Sequence, residues 1–111
     1  IGNINISRDW GWAPDYVEAM YLILQQENPD DYIIATGKTI SLKDFIKITF
    51  DYFGLNYKDY IIVDKSLLRP SDILISKADN SKAKNILGWE PTKDIENVIK
   101  EMIEFQLKIK N

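Results

Sequence analysis

Apolar residues recur at helical spacing in three stretches of the chain. The pattern predicts a first helix over residues 13–26, where Pro14 occupies the first turn and sacrifices no hydrogen bond. A second helix is predicted to start at the potential cap Ser41 and to end at Gly54. A third helix follows Thr92, a potential cap, and its predicted apolar face consists of Ile95, Val98, Ile99, Met102, Ile103 and Gln106.

Two short runs that contain adjacent β-branched residues, 32–36 and 60–63, indicate buried strands. A shorter fourth helix is predicted between a cap at Asp79 or Asn80 and Gly88, because glycine suits the left-handed residue that ends many helices. About four helices with a few short strands predict a small mixed α/β domain.

Composition is that of an ordinary globular chain and argues against two classes of partner. Apolar residues make up 45% and charged residues 28%, and the length fits a single domain over residues 1–111. The net charge of -3 argues against nucleic-acid binding, which depends on clustered cations. The longest nearly apolar stretch, 19–24, is far shorter than the roughly 20 residues of a membrane span. We therefore expect neither a nucleic-acid nor a membrane partner.

Several residue types and motifs of catalytic and cofactor sites are absent from the sequence. There is no histidine and no cysteine, so a zinc site is not expected, and the lack of cysteine suits a reducing, cytoplasmic location. Neither a Gly-x-Gly-x-x-Gly turn nor a Tyr-x-x-x-Lys pair is present to hold a dinucleotide or to transfer a proton. We expect the chain to be an internal piece of a longer protein and to catalyse no turnover alone.

Two arginines in distinctive contexts are the candidate ligand-binding residues. Arg8 opens the segment Arg-Asp-Trp-Gly, and Arg69 opens Arg-Pro-Ser-Asp, which ends at Asp72. A pair of guanidinium groups suits a diphosphate, because each presents several donors and keeps its charge near neutral pH. A nearby carboxylate can accept hydrogen bonds from the hydroxyl groups of a ribose or hexose. Spacing alone leaves open the alternative that both arginines are isolated surface charges.

The three tryptophans invite a second interpretation, in which their rings stack on a nucleobase or a sugar. Packing is the more common role of tryptophan near a turn, and we favour it for Trp10 and for Trp89, which follows a glycine that ends a helix. The role of Trp12 is left open.

The order of these motifs along nearly the whole chain resembles the C-terminal part of the GDP-mannose 4,6-dehydratases, a branch of the extended short-chain dehydrogenase/reductases. Two segments, Arg-Asp-Trp-Gly and Ile-Ala-Thr-Gly, point to this family in particular. Shared more widely with sugar-nucleotide epimerases are Arg69-Pro70 and the segment 81–89, Ser-Lys-Ala-Lys-Asn-Ile-Leu-Gly-Trp.

The resemblance implies that Arg8 and Arg69 contact the diphosphate of a nucleotide sugar such as GDP-mannose. It implies that Asp72, at a position that is usually glutamate in the family, lies near the nucleotide ribose. The strands would be mostly parallel, and the segments 13–26 and 81–89 would hold the two arginine loops in place. NADP would be the cofactor of the parent enzyme, a hydro-lyase and an expected homo-oligomer.

The resemblance also implies that the catalytic residues and the glycine-rich cofactor turn belong to an N-terminal NADP-binding Rossmann domain that these 111 residues do not contain. Three alternatives stay open. The chain is part of a sugar-nucleotide epimerase or a 4-keto-sugar reductase, or it is a non-catalytic interaction module, or its ligand is a GDP-heptose or another nucleotide sugar.

Overall fold

Helices form most of the regular structure in the computed structural model, which describes residues 1–110. Three are α-helices, α1 (Ala13–Leu24), α2 (Leu42–Tyr52) and α3 (Ile95–Lys110), and a fourth, Ala83–Leu87, is a π-helical segment. Two 3₁₀ turns, Tyr57–Asp59 and Lys65–Leu67, lie between α2 and the π-helical segment. None of the described helices is both long and apolar enough to cross a membrane.

The helix ends largely follow the predicted capping residues. Ser41 caps α2, because its hydroxyl oxygen accepts a hydrogen bond from the Asp44 amide at 3.0 Å. Gly54 and Gly88 adopt positive φ angles of 68° and 66° just after their helices, as predicted. The helix α1 is two residues shorter than the predicted 13–26.

The predicted cap of α3 is wrong. The side chain that accepts a hydrogen bond from the first turn of α3 belongs to Asp94, whose Oδ1 lies 2.9 Å from the Asn97 amide nitrogen. Thr92 has a different role, because its amide and its hydroxyl both donate to the carboxylate of Asp15 on α1. Thr92, which the local sequence pattern assigned to the start of α3, therefore makes a tertiary contact with α1 instead.

Strands occupy less of the chain than predicted, although the mixed α/β class is confirmed. The sheet of the described residues has two strands, β1 (Ser7–Arg8) and β2 (Ile40–Ser41), and they are antiparallel rather than parallel. One isolated parallel bridge joins Ser7 to Ile75.

Neither predicted strand, 32–36 or 60–63, forms a ladder in the described part of the chain. In the first run, side chains take the place of a neighbouring strand. The Ala35 carbonyl accepts from the Asn80 side chain at 2.7 Å, and the Thr36 amide donates to Asp9 at 3.0 Å. The apolar β-branched run therefore predicted a partly buried segment correctly, but not the partners of its backbone groups.

A small core joins α1 to the π-helical segment. Ala19, Ala83 and Trp89 are almost fully buried, and Tyr16 and Leu87 are among the residues that pack around them. The Trp89 indole nitrogen donates to the backbone carbonyl of Asp15 at 2.8 Å. The packing role predicted for Trp89 is confirmed, and it locks the start of α1 against the segment 81–89.

The molecule is a thin layer rather than a sphere. Its extents are 53 × 40 × 18 Å and its radius of gyration is 16.9 Å, whereas a compact domain of this length has a radius of about 13 Å. The apolar stripe of α1 consequently lies on the surface: Val17, Met20, Tyr21 and Leu24 are 60 to 80% exposed. The small residue Ala19, not this stripe, faces the core.

Candidate functional site

The two motif segments that carry the candidate arginines meet in space. The Arg8 guanidinium donates through Nη2 to Asp72 Oδ1 at 3.1 Å, although the two residues are 64 positions apart in sequence. Both side chains are about three-quarters buried, with exposed fractions of 26% and 24%. The contact is therefore a partly shielded ion pair, stronger than one that is fully surrounded by water.

Backbone hydrogen bonds hold this pair in position. Ser7, which precedes Arg8, donates its amide to the Leu74 carbonyl at 2.7 Å and accepts from the Ser76 amide at 3.0 Å. The opposite side of β1 pairs with β2, where Arg8 lies across from Ile40. Arg8 thus sits on a backbone that is bonded on both sides, and Asp72 lies two residues from the anchored Leu74.

Arg69 does not join this pair. Arg69 is exposed to solvent, and none of the ion pairs within residues 1–110 involves it. Two residues separate it from Asp72, so the backbones of the two positions are at most about 10 Å apart. The structure therefore brings Arg8 and Asp72 into contact and keeps Arg69 in the same neighbourhood with its charge free.

Asp9, a residue that sequence reasoning passed over, organises the loop beside the pair. Its carboxylate accepts three hydrogen bonds, from the amide and hydroxyl of Thr36 and from the amide of Gly37, at 3.0, 2.8 and 2.9 Å. Gly37 has a φ of 81°, so the turn needs a residue without a side chain. The signal available in the sequence was the position of Asp9 within the Arg-Asp-Trp-Gly segment.

Gly11 and Tyr16 pack closely at the other end of that segment. A Cβ atom on Gly11 would overlap the hydroxyl and ring of Tyr16 and would lie 2.9 Å from the Thr36 methyl group. Burial, together with the nearby carboxylates of Asp9 and Asp15, raises the pKa of Tyr16 above its ordinary value. The Tyr16 hydroxyl accordingly stays protonated and serves packing near neutral pH.

A cleft of about 370 Å³ opens next to Trp10. Its walls include Thr36, Lys38, Lys93 and Glu96. Lys93 is already engaged, because it pairs with Glu101 and lies over the Trp12 ring at 5.4 Å from the centroid. None of the three predicted site residues lines this cleft.

The remaining tryptophans have packing partners within the chain. The Trp10 ring lies 5.1 Å from that of Phe45, centroid to centroid, which supports packing as its main role although one side faces the cleft. Trp12, whose role the sequence left open, contacts the ammonium group of Lys93.

Comparison with known proteins decides which family carries this arrangement. The family model of the GDP-mannose 4,6 dehydratases matches residues 1–102 of the chain. The chain belongs to this family. Two curated members show the range of similarity. GDP-mannose 4,6 dehydratase 1 of Arabidopsis thaliana is 49% identical over 109 residues, and the GDP-mannose 4,6 dehydratase of Homo sapiens is 32% identical over 126 aligned positions.

These alignments take in 98% of the chain but only 30% and 34% of the two dehydratases, so the chain spans about a third of the length of the curated relatives it matches. Among solved structures, a UDP-glucose 4-epimerase from Thermotoga maritima with UDP-glucose superposes over the whole chain with a TM-score of 0.87 and 26% identity. It covers 35% of that epimerase. A Pseudomonas aeruginosa protein named RMD, complexed with NADPH, shares the fold with a TM-score of 0.75 at 19% identity.

Within the GDP-mannose 4,6-dehydratase family, the present chain contributes two loops and the framework between them. The framework consists of α1 and the segment 81–89, which meet at Trp89. The loops carry Arg8 and the run from Arg69 to Asp72, and they meet through the Arg8–Asp72 ion pair.

Proposed function

We propose that this chain is the substrate-gripping part of an NADP-dependent GDP-mannose 4,6-dehydratase. Arg8 and Arg69 bind the diphosphate of the nucleotide sugar, and Asp72 accepts hydrogen bonds from the nucleotide ribose. The supporting observation is the contact between Arg8 and Asp72, because it places two distant motif segments at one spot. The two guanidinium groups suit the negative charges of the diphosphate, and the carboxylate suits the hydroxyl groups of the ribose.

The chain contributes binding energy rather than chemistry. Contacts to the diphosphate are remote from the reacting carbon atoms, and their value is to orient the sugar in the rest of the enzyme. Arg8 has the rigidity that this task needs, since its backbone is bonded to neighbours on both sides. Arg69 supplies an exposed cation that reaches a ligand without first breaking an ion pair.

The residues of this chain do not fit a dinucleotide. Its five glycines are scattered at positions 2, 11, 37, 54 and 88, so they form no phosphate-binding turn. NADP would therefore be held by the remaining two-thirds of a full-length relative. We also propose a cytoplasmic, homo-oligomeric parent enzyme, in which a Rossmann domain covers the exposed apolar stripe of α1.

The substitution Arg69→Gln in the natural protein that carries these residues tests the proposal. The variant loses one charged contact to the diphosphate, and hydrogen bonds of that kind contribute about 1.5 to 3 kcal/mol. The dissociation constant for GDP-mannose, measured by calorimetry, is expected to rise by about tenfold or more.

Lys65→Gln is the matched control for Arg69→Gln, because it removes an exposed cation four residues away. Its dissociation constant for GDP-mannose should stay within about twofold of the wild type, a difference of roughly 0.4 kcal/mol. Equal affinities of the wild type and Arg69→Gln would contradict the diphosphate assignment.

One observation favours a second candidate, a sugar-nucleotide epimerase. The superposition on the Thermotoga maritima UDP-glucose 4-epimerase covers the whole chain. The two candidates differ in the base and sugar that the parent prefers. Calorimetry of the natural protein with GDP-mannose and with UDP-glucose separates them, and a preference for UDP-glucose would favour the epimerase.

A further inference from the structure

The proposed function assigns Arg8 and Asp72 to different parts of one ligand, yet in the structure the two side chains bind each other. A single hydrogen bond joins them, from Nη2 to Oδ1 at 3.1 Å. Within residues 1–110 the Arg8 guanidinium makes one other hydrogen bond, from Nη1 to the neighbouring Ser7 carbonyl at 2.9 Å. A diphosphate that approaches Arg8 therefore meets a carboxylate already bound there.

We propose that Asp72 is a specificity-determining residue that makes this site select diphosphates carrying a vicinal diol over free pyrophosphate. Asp72 stays paired with Arg8 until a ligand supplies a phosphate for the guanidinium group and two hydroxyls for the released carboxylate. This inference rests on the proposed function, because it takes the same three residues as the site.

A single side-chain hydrogen bond has to be exchanged when a phosphate reaches Arg8. Ser7 is bonded to Leu74 and to Ser76, so the backbone that carries Arg8 is held in place. Asp72 holds Arg8 through one hydrogen bond instead of the paired bonds of a bidentate contact, which is the stronger arrangement. Loss of this one hydrogen bond is enough to free Nη2 for a phosphate oxygen.

The selectivity follows from what happens to the released carboxylate. Pyrophosphate offers no hydrogen-bond donor to Asp72. When pyrophosphate binds Arg8, the Asp72 carboxylate would lose its hydrogen bond to Arg8 and would lie beside an added anion. Like charges at such a distance repel, and a partly shielded pair feels this more strongly than an exposed one. A ribose diol donates two hydrogen bonds to the carboxylate and offsets both losses.

The test compares pyrophosphate with GDP-mannose, each titrated calorimetrically into the natural protein and its Asp72→Asn variant. Asparagine keeps the shape of the side chain and removes the charge. Pyrophosphate is expected to bind Asp72→Asn about tenfold more tightly than the wild type, which corresponds to about 1.4 kcal/mol. GDP-mannose should bind the variant no more tightly, because a neutral amide accepts from the ribose hydroxyls through one oxygen only and less strongly than the carboxylate does.

The control is Asp51→Asn, which removes a carboxylate from an exposed ion pair with Lys47 on α2. This variant should leave both affinities within about twofold of the wild type, or roughly 0.4 kcal/mol. Thermal unfolding of each variant verifies that the fold is kept.

Three outcomes would overturn the inference: pyrophosphate binding that Asp72→Asn leaves unchanged, no detectable pyrophosphate binding by that variant, or equal tightening for both ligands. In each case the proposed function still stands if Arg8→Gln and Arg69→Gln weaken GDP-mannose binding. If those two variants bind GDP-mannose as the wild type does, the proposed function itself fails.

Discussion

Asp9 is the residue whose replacement most directly tests how the site loops are held. Its carboxylate connects the segment after β1 to the turn at Thr36 and Gly37 through three hydrogen bonds. In Asp9→Ala all three are lost. The Thr36 hydroxyl keeps a partner, since it also contacts the backbone of Lys38 at 3.2 and 3.1 Å. The amides of Thr36 and Gly37 are then left without a partner among the described residues.

The expected cost follows from those two amides. A hydrogen bond to a charged group contributes about 1.5 to 3 kcal/mol when it is shielded, and less when water replaces the lost partner. Because Gly37 is exposed and Thr36 half-buried, we take about 1 kcal/mol for each amide. Asp9→Ala should therefore lower the free energy of unfolding by about 2 kcal/mol.

Asp9→Asn separates the two oxygens of the carboxylate. With the amide oxygen in the place of Oδ1, both Thr36 donors keep their acceptor, whereas the Gly37 amide faces an NH₂ group that cannot accept. The loss in Asp9→Asn should be about half of that in Asp9→Ala, near 1 kcal/mol.

Urea unfolding of the purified variants measures both losses, and hydrogen exchange locates them, since the amides of Thr36 and Gly37 should lose protection first. Asp59→Ala is the control, because this exposed carboxylate accepts no hydrogen bond within the described residues. Its stability should stay within about 0.5 kcal/mol of the wild type. An Asp9→Ala variant as stable as that control would refute the reasoning.

Three further predictions concern the packing beside this loop. Gly11→Ala should destabilise the chain by about 1 to 3 kcal/mol in urea unfolding, because the new methyl group overlaps Tyr16 and Thr36; an unchanged midpoint would show that Tyr16 moves freely. Trp89→Phe should cost about 2 kcal/mol in the same assay, since it loses the indole hydrogen bond to Asp15 and leaves a gap in the core. The raised pKa of Tyr16 means that the folded state favours the protonated hydroxyl. The stability that this preference contributes is complete below about pH 10, the ordinary tyrosine pKa, and is lost as the pH rises through the raised pKa. Unfolding of Tyr16→Phe between about pH 8 and 11 should show a shallower decline in stability with pH than the wild type, and parallel declines would contradict the assignment.

The helices could be predicted from the sequence because their ends are set by local chemistry. The Ser41 cap and the Gly54 and Gly88 ends need only neighbouring residues, and all three are confirmed. The α1 stripe shows the limit of this approach. Periodicity indicates that an apolar face exists, but Val17 and Met20 are more than half exposed. What covers a face is a property of the partner and is not encoded within the helix.

The strands could not be placed for a related physical reason. A strand is defined by the backbone that pairs with it, and that partner is distant in sequence. The two-residue pairing of β1 with β2 has no alternating pattern that would reveal it. In the predicted strand 32–36 the hydrogen bonds come from Asp9 and Asn80 side chains, which no periodicity reports.

The site was predictable to the extent that its residues carry family motifs. Arg8, Arg69 and Asp72 were selected from the sequence and its resemblance, and the structure brings Arg8 and Asp72 into contact. Their role in binding a diphosphate stays a prediction. The ion pair itself was not foreseen, because the expected ligand contacts treated the two side chains as separate.

Polar contacts, rather than a large core, set the relative positions of the site loops. The layer is 18 Å thick, so few side chains have neighbours on all sides. Three side chains take over the task of joining distant segments: Asp9 binds the turn at Gly37, Asp15 binds Thr92, and Asn80 binds the Ala35 carbonyl. A hydrogen bond fixes direction as well as distance, which apolar contact does not. A thin layer can therefore hold Arg8 against Asp72 in one geometry while its apolar α1 face stays exposed.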